Sequence, residues 1–210
     1  MKNSVQRFGK FLSAMVMPNI GALIAFGFLA ALFIDTGWIP NEGFNSLVSP
    51  MLTYLIPILI ASTGGRMVGG DRGRVVGAIA VIGAIMSDTS ITMLMAAMVM
   101  GPLAGFCIKK FDQLMEGRMP AGFEMLINNF SAGIIGMLLA MLGYIAIGPL
   151  MSGILAVLSA GVSILVEHGL LPLVSIFIEP AKVLFLNNAI NHGIFTPLAT
   201  EQAAELGKSI

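Results

Sequence analysis

The sequence predicts an all-α protein, a polytopic bundle of transmembrane helices with a re-entrant, broken-helix polar segment near its C-terminus. The 210 residues are 57% hydrophobic and only 10% charged, with a mean hydropathy of +0.93. Long uncharged stretches recur along the chain, and a cluster of polar residues interrupts the last of them. A soluble domain carries about 25% charged residues, so the composition excludes a typical soluble enzyme, a disordered chain and a coiled coil.

Composition also limits the classes of partner and cofactor that the protein can have. The 11 basic and 11 acidic side chains balance, so there is no basic excess to indicate nucleic acid. The single cysteine, Cys107, excludes an internal disulfide framework and a Cys-rich zinc site. We therefore expect membrane lipid as a partner, and no nucleic acid, cofactor, metal site or catalytic residue.

The uncharged stretches set the expected spans, since a crossing helix needs about 20 largely apolar residues. Residues 11–34, 43–65 and 89–108 each suit one crossing, and 125–166 suits two with a turn near the Gly-Pro pair at 148–149. The stretch 75–87 has only 13 residues and reaches only about 20 Å as a helix. Three alternatives are open for it: it tilts, it continues back through Gly73, or it forms part of a broken helix.

The flanking charges predict the orientation. Residues 1–14 carry basic and no acidic side chains, whereas the loop 35–42 carries only acidic ones. Basic residues outnumber acidic ones again in 66–74 and 109–118. Because cytoplasmic loops collect Lys and Arg, we predict a cytoplasmic N-terminus, two further cytoplasmic loops, and Asp88 toward the outside.

Three regions are expected. Residues 1–14 form a cytoplasmic interfacial helix with apolar residues at helical spacing, retained rather than cleaved as a signal peptide. Residues 15–168 form the transmembrane bundle, with about six spans. Residues 169–210 form a partial re-entrant substrate-binding segment.

Glycines four residues apart form two rows, Gly65-Gly69-Gly73-Gly77 and Gly101-Gly105. Small residues at this spacing let helix backbones approach closely in lipid. The alternative is an anion-binding nest of backbone N–H groups near the arginines of 66–74. Close packing is the favoured interpretation.

A polar segment lies between two helix breakers, Pro180 and Gly193. Polar groups are costly at membrane depth, yet this segment and its flank contain six: Glu179, Lys182, Asn187, Asn188, Asn191 and His192. Short, interrupted apolar segments with such groups are typical of transporter binding sites. Amides and a neutral imidazole both donate and accept hydrogen bonds, which suits a sugar or polyol. The alternative is that they only join helices, and the earlier pair at 128–129 is expected to cap the helix that follows it.

Five motifs carry a resemblance to a known family. They read VMPNIGALIAFGF, TGWIPNE, TGGRMVGGDRGRVVGAI, GFEMLINNFSAGIIGM and EPAKVLFLNNAINHGIF. From about Val5 to Ile210 the chain resembles the membrane-embedded IIC domain of the mannitol permeases of the bacterial phosphoenolpyruvate-dependent phosphotransferase system. The resemblance implies a homodimeric inner-membrane transporter that imports mannitol, or a similar polyol, for phosphorylation to mannitol 1-phosphate by cytoplasmic IIB and IIA domains.

The resemblance also implies which residues bind the substrate. Asn191 and His192 match the family's Asn-His pair, implicated in substrate binding. Asn187 and Asn188 match the rest of that motif, and Glu179 matches the acidic residue of its Glu-Pro-Ala-Lys element. These five are the expected substrate-binding residues.

Two departures from the family pattern shape the expectation for this chain. The family's Gly-Ile-His-Glu element and its IIB phospho-cysteine loop have no counterpart here. We therefore expect the N-terminal part of the domain, truncated at 210, which by itself neither binds mannitol tightly nor phosphorylates it. Whether it counts as part of an enzyme stays open. The second hypothesis is a non-transporting membrane interaction partner that dimerises through its glycine rows, or an inactive permease remnant.

Overall fold

The structure is a computed structural model that describes residues 2–118 and 122–167. The described helices are α1 (Lys2–Val16), α2 (Ile20–Phe33), α3 (Glu42–Asn45), α4 (Val48–Pro50), α5 (Ile56–Ser87), α6 (Leu94–Met115), α7 (Glu124–Leu142) and α8 (Gly148–Glu167). A short 3₁₀ turn, Met17–Asn19, joins α1 to α2, and π-helical turns at Met51–Leu55 and Gly143–Ile147 precede α5 and α8. This part of the chain is helical, as the sequence predicts.

Helix α5 is a hairpin of two arms, 56–69 and 71–87, that reverses at Gly70. Gly70 has φ 65° and ψ −156°, a conformation that only glycine adopts readily. The arms touch backbone to backbone: a Cβ on Gly65 would strike the carbonyl of Gly73, and one on Gly77 would lie 2.6 Å from the carbonyl oxygen of Ala61. The second arm therefore continues back through Gly73, which was one of the three alternatives.

Helix α6 packs along this hairpin through the second glycine row. Gly101 faces the backbone of Ala61, and Gly105 faces Gly65 and Gly69. Since the paired numbers rise together, α6 runs parallel to the first arm of α5 and antiparallel to the second. Ile60, Met100 and Ile108 are among the fully buried side chains at this junction.

The glycine rows therefore serve close packing within one chain, which confirms the favoured interpretation. No side chain fits between these backbones, because a Cβ at each of the six positions would lie too close to a neighbouring backbone. The same contacts leave no room for a second copy. The part of the second hypothesis that joined two chains through these glycines is wrong.

Helix α7 and the π turn after it run parallel to the second arm of α5. Gly136 faces Ile79, and a Cβ on Gly83 would strike the backbone of Ala140. The predicted chain reversal at 148–149 is wrong, because residues 124–167 are helical throughout. Pro149 has no N–H to donate to the helix backbone. The π turn before it, in which the N–H of Gly148 donates to the carbonyl of Gly143, accommodates the proline while the helix continues in the same direction.

Within the described residues, four helical stretches are long and apolar enough to cross a membrane: Gln6–Phe33, Glu42–Ser87, Leu94–Met115 and Glu124–Ile154. The second of them contains both arms of α5. Side-chain contacts place 66–74 and 109–118 at one end of the bundle and Asp88 at the other. This confirms the relative placement of these loops that the charges predict; we call the end that carries 66–74 and 109–118 the basic end.

Candidate functional site

The five expected substrate-binding residues, Glu179, Asn187, Asn188, Asn191 and His192, lie outside the described residues. The structure describes the scaffold that precedes them in the chain. In that scaffold three polar clusters tie helices together, and each occupies a different level of the bundle.

The first cluster joins three helices at the basic end. Arg72, in the first turn of the second arm of α5, pairs with Asp112 of α6. Its Nη2 also donates to the carbonyl of Asn128, at 2.8 Å, and to the hydroxyl of Ser131, at 2.6 Å, both in α7. Ser131 is buried and donates in turn to the Asn128 carbonyl at 3.1 Å. The planar guanidinium presents five donors in a fixed fork, so one side chain satisfies acceptors on two neighbouring helices.

The second cluster holds the N-terminal helices against the first arm of α5. The amide Nδ2 of Asn19 donates to the hydroxyl of Thr63 at 2.9 Å, and to the carbonyls of Met15 at 2.9 Å and Leu59 at 3.2 Å. Thr63 donates to the Leu59 carbonyl at 2.8 Å. Pro18, in the 3₁₀ turn, interrupts the helix ladder at this point, and the Asn19 amide binds one of the carbonyls beside that interruption.

The third cluster closes the opposite end. Asp88 directly follows the last residue of α5, and its Oδ1 accepts from the N–H of Ser90 at 3.0 Å and from the Ser90 hydroxyl. Its Oδ2 accepts from the hydroxyl of Ser152 of α8 at 3.2 Å. The Ser90 hydroxyl is the main reason that the pKa of Asp88 lies below its ordinary value, and the Ser90 N–H and Ser152 lower it further against a rise from partial burial.

These clusters are structural ties, and the sequence reasoning predicted none of them. Asn19 is a polar side chain in the middle of an otherwise apolar stretch, and that position was the available signal. Asn128 and Asn129 do not cap a helix, because α7 begins four residues earlier at Glu124; the backbone of Asn128 instead accepts from Arg72. In the described ranges no three His, Cys, Asp or Glu side chains are grouped as metal ligands would be.

The fold is that of an integral membrane protein. Four of its described helical stretches are long and apolar enough to cross the bilayer, and glycine contacts and polar side chains hold the helices together. The family described as "Phosphotransferase system, EIIC" matches residues 13–204. The chain belongs to this family, which forms the membrane component of the phosphotransferase system.

Curated relatives are similar over the whole chain. The PTS system mannitol-specific EIICBA component of Klebsiella pneumoniae is 60% identical over 210 residues, which are 100% of this chain and 33% of that protein. The corresponding component of Escherichia coli (strain K12) is 59% identical over 210 residues, again 100% of this chain and 33% of the relative. The mannitol-specific EIICB component of Bacillus subtilis (strain 168) is 58% identical over 210 residues, 100% of this chain and 44% of the relative.

This chain therefore spans about a third of the length of the first two of these relatives. No solved structure gives a significant match to it.

Proposed function

We propose that this chain is the membrane-embedded IIC component of a mannitol permease. It admits mannitol from outside and presents it at the cytoplasmic side, where a IIB domain charged by a IIA domain phosphorylates it to mannitol 1-phosphate. The observation that carries this proposal is the identity of 56–60% with relatives whose names specify mannitol, along the full chain. The polar segment at 179–193 supports it chemically, since amides and imidazole match the donors and acceptors of a polyol.

We propose that Asn187, Asn188, Asn191 and His192, together with Glu179, contact the substrate. Residues 169–210 then form the substrate segment, residues 15–168 the supporting bundle, and residues 1–14 an interfacial helix. The helical residues 2–16 support the last assignment, because Leu12 and Met15 are buried while Phe8 and Lys10 are exposed.

We propose a bacterial cytoplasmic membrane location with the N-terminus inside, and a homodimer as the working unit. The clustering of 66–74 with 109–118 at one end supports this orientation, because both loops are rich in Lys and Arg. Helix α2 supports a further partner within the membrane, since none of its residues is buried by the described part of the chain.

Uptake measured in cells that lack their own mannitol permease tests the proposal. Residues 1–210 are joined to the remaining residues of the Klebsiella pneumoniae relative, which supply the parts of that protein that this chain does not span. We expect uptake of labelled mannitol that unlabelled mannitol suppresses and glucose does not. An inserted, expressed chimera that takes up no mannitol would contradict the proposal.

A further inference from the structure

Two open grooves meet at Arg74 on the outer face of α5. One groove, of about 580 Å³, lies between the α1–α2 junction and the first arm, beside Asn19, Ser62, Arg66 and Arg74. The other, of about 700 Å³, lies between the α5 hairpin and α7 and is lined almost wholly by apolar side chains. Both are lined by Ser62 and Arg74, so they form one composite groove with a polar head and an apolar tail.

The polar head carries positive charge. Arg66 and Arg74 line it, and the described lining residues include no carboxylate. Arg66 is already paired with Asp71, its Nε lying 3.4 Å from Oδ1. Among the described residues Arg74 has no ion-pair partner, and its exposed guanidinium is at the point where the two grooves join. The head therefore favours an anion that contacts Arg74.

The apolar tail leads from Arg74 toward the middle of the bundle. It follows the second arm of α5 past Ala78 and Ile79 to Ile82, with Met137 and Met141 of α7 on its other wall. Eight residues of helix separate Arg74 from Ile82, which is about 12 Å along the axis. Val75, Ile79 and Ile82 remain between 37% and 48% exposed, so the tail groove can accept an alkyl chain.

The position of this groove identifies its occupant. Arg74 lies near the reversal at Gly70, which belongs to the basic end where charged loops meet the membrane surface. Basic pockets between membrane helices at this level bind anionic lipid headgroups. A free phosphate or a sugar phosphate would leave the apolar tail unfilled. An anionic phospholipid presents both chemistries at this depth, a charged phosphate at the membrane surface and an alkyl chain below it.

We propose that the composite groove binds one anionic phospholipid, with its phosphate at Arg74 and Ser62 and an acyl chain along the second arm of α5. The bound lipid fills the space between the N-terminal helices, the α5 hairpin and α7. This inference requires only that the chain spans a membrane, so it stands or falls separately from the choice of mannitol as substrate.

Lipid retention by the purified chain tests the proposal. The full chain is extracted from nanodiscs made of equal parts phosphatidylglycerol and phosphatidylcholine, and bound lipid is counted by native mass spectrometry. We expect one retained phosphatidylglycerol, and Arg74→Gln to lower its retention about tenfold, as loss of a charge-assisted hydrogen-bond pair predicts. Lys109→Gln is the matched control, because Lys109 is an exposed cation of the basic end that lines neither groove.

A second variant probes the tail without changing charge. Ala78→Phe fills the apolar groove and is expected to lower retention of phosphatidylglycerol, whereas Ala25→Phe on the exposed face of α2 leaves it unchanged. Equal retention by wild type and either groove variant would overturn the proposal. So would equal losses in Arg74→Gln and Lys109→Gln, since the attraction would then be a general charge effect of the basic end. Equal retention of phosphatidylcholine would also overturn it.

Discussion

Arg72 shows how one side chain fixes three helices at the end of a membrane bundle. Its guanidinium faces Asp112 on α6 and two acceptors on α7, and the side chain is 25% exposed. Burial of a cation costs free energy that its acceptors offset, so the removal of one acceptor is destabilising. The tie therefore fixes the register of α6 and α7 on the second arm of α5.

Removing one acceptor from this tie should lower stability measurably. Ser131→Ala deletes a buried hydroxyl that accepts from Arg72, and we expect it to lower the free energy of unfolding by about 1–2 kcal/mol. Ser46→Ala is the control, because that hydroxyl bonds only the exposed carbonyl of Gly43 and should cost under about 0.5 kcal/mol. Reversible unfolding in mixed micelles measures both, and equal losses would show that the tie does not stabilise the bundle.

The stability that Asp88 contributes at the opposite end of the bundle depends on pH. Its hydrogen bonds from Ser90 and Ser152 hold the folded-state pKa below the ordinary value, which is about 3.9. A carboxylate with a lowered folded pKa contributes stability that is present above the unfolded pKa and is lost as the pH falls through the folded pKa. Its contribution is therefore complete at neutral pH and declines below about pH 4.

Thermal unfolding of Asp88→Asn against wild type at pH 7 and at pH 3 measures this contribution. We expect the variant to be less stable than wild type at pH 7, and the difference to shrink at pH 3. Asp35→Asn is the control, because Asp35 lies in the loop after α2 and accepts no hydrogen bond from the described residues. A difference between Asp88→Asn and wild type that is the same at both pH values would contradict this role.

At the scale of the elements, glycine decides how closely helices approach. Apolar packing within lipid cannot draw on the hydrophobic effect, so contact area and close backbone approach stabilise the bundle. Gly65 sits where the two arms of α5 and α6 converge, and its missing side chain leaves room for the carbonyl of Gly73. Gly133 also lies within a helix, α7, but a Cβ added there would point into open space.

These two glycines form a matched pair for substitution. Gly65→Ala should destabilise the bundle by about 2–3 kcal/mol, because backbone on the facing arm cannot rotate away from the new methyl group. Gly133→Ala should be neutral or stabilising by about 0.5–1 kcal/mol, since alanine restricts the unfolded chain at no steric cost. Denaturant unfolding in mixed micelles measures both, and a tolerated Gly65→Ala would refute the hairpin contact.

The elements also show what sequence reasoning can and cannot find. Charge spacing and hydropathy located the apolar stretches, and the four-residue spacing of Gly65 to Gly77 predicted close packing correctly. The reversal at Gly70 was not predicted, because several neighbouring glycines could equally adopt positive φ and only the tertiary contacts select one. The continuous helix through Pro149 was missed, since a π turn leaves no clear pattern in the sequence.

At the scale of the whole molecule, charge asymmetry predicts the orientation in the membrane. The loop between α2 and α3 is acidic, and the basic end lies at the opposite ends of the intervening helices. We therefore expect Trp38, which is 88% exposed in that loop, to face the outside. Glu116, just after α6, should face the cytoplasm.

Single-cysteine labelling checks this orientation in a Cys107→Ala background, which removes the native thiol. Trp38→Cys should react with a membrane-impermeant maleimide in intact spheroplasts. Glu116→Cys should react only after the membrane is permeabilised, and Cys107→Ala by itself should not react at all. The reverse pattern of labelling would place the basic end outside and contradict the positive-inside assignment.

The sequence gives more information about the substrate site than the described structure does, because the expected substrate-binding residues lie outside the described ranges. The polar segment at 179–193 stands out in the sequence because amides and imidazole are costly in lipid, and its contact with a sugar stays a prediction. Side-chain chemistry alone cannot select mannitol among polyols, since the configuration of each hydroxyl is read by the placement of several groups at once. The ties at Arg72 and Asn19 join residues 40 or more positions apart, and no spacing rule pairs such residues.

Equilibrium binding of labelled mannitol tests most directly whether the amides and imidazole of 179–193 hold the substrate. In the chimera described above, His192→Leu and Asn188→Leu should each weaken binding by about 5- to 150-fold, the loss of about 1–3 kcal/mol expected for a buried hydrogen bond to the ligand. Membrane insertion should be unchanged, and Asn129→Leu, the same type of change on the exposed part of α7, should bind as wild type does. Unchanged mannitol affinity in His192→Leu and Asn188→Leu would contradict the assignment of this segment to the substrate.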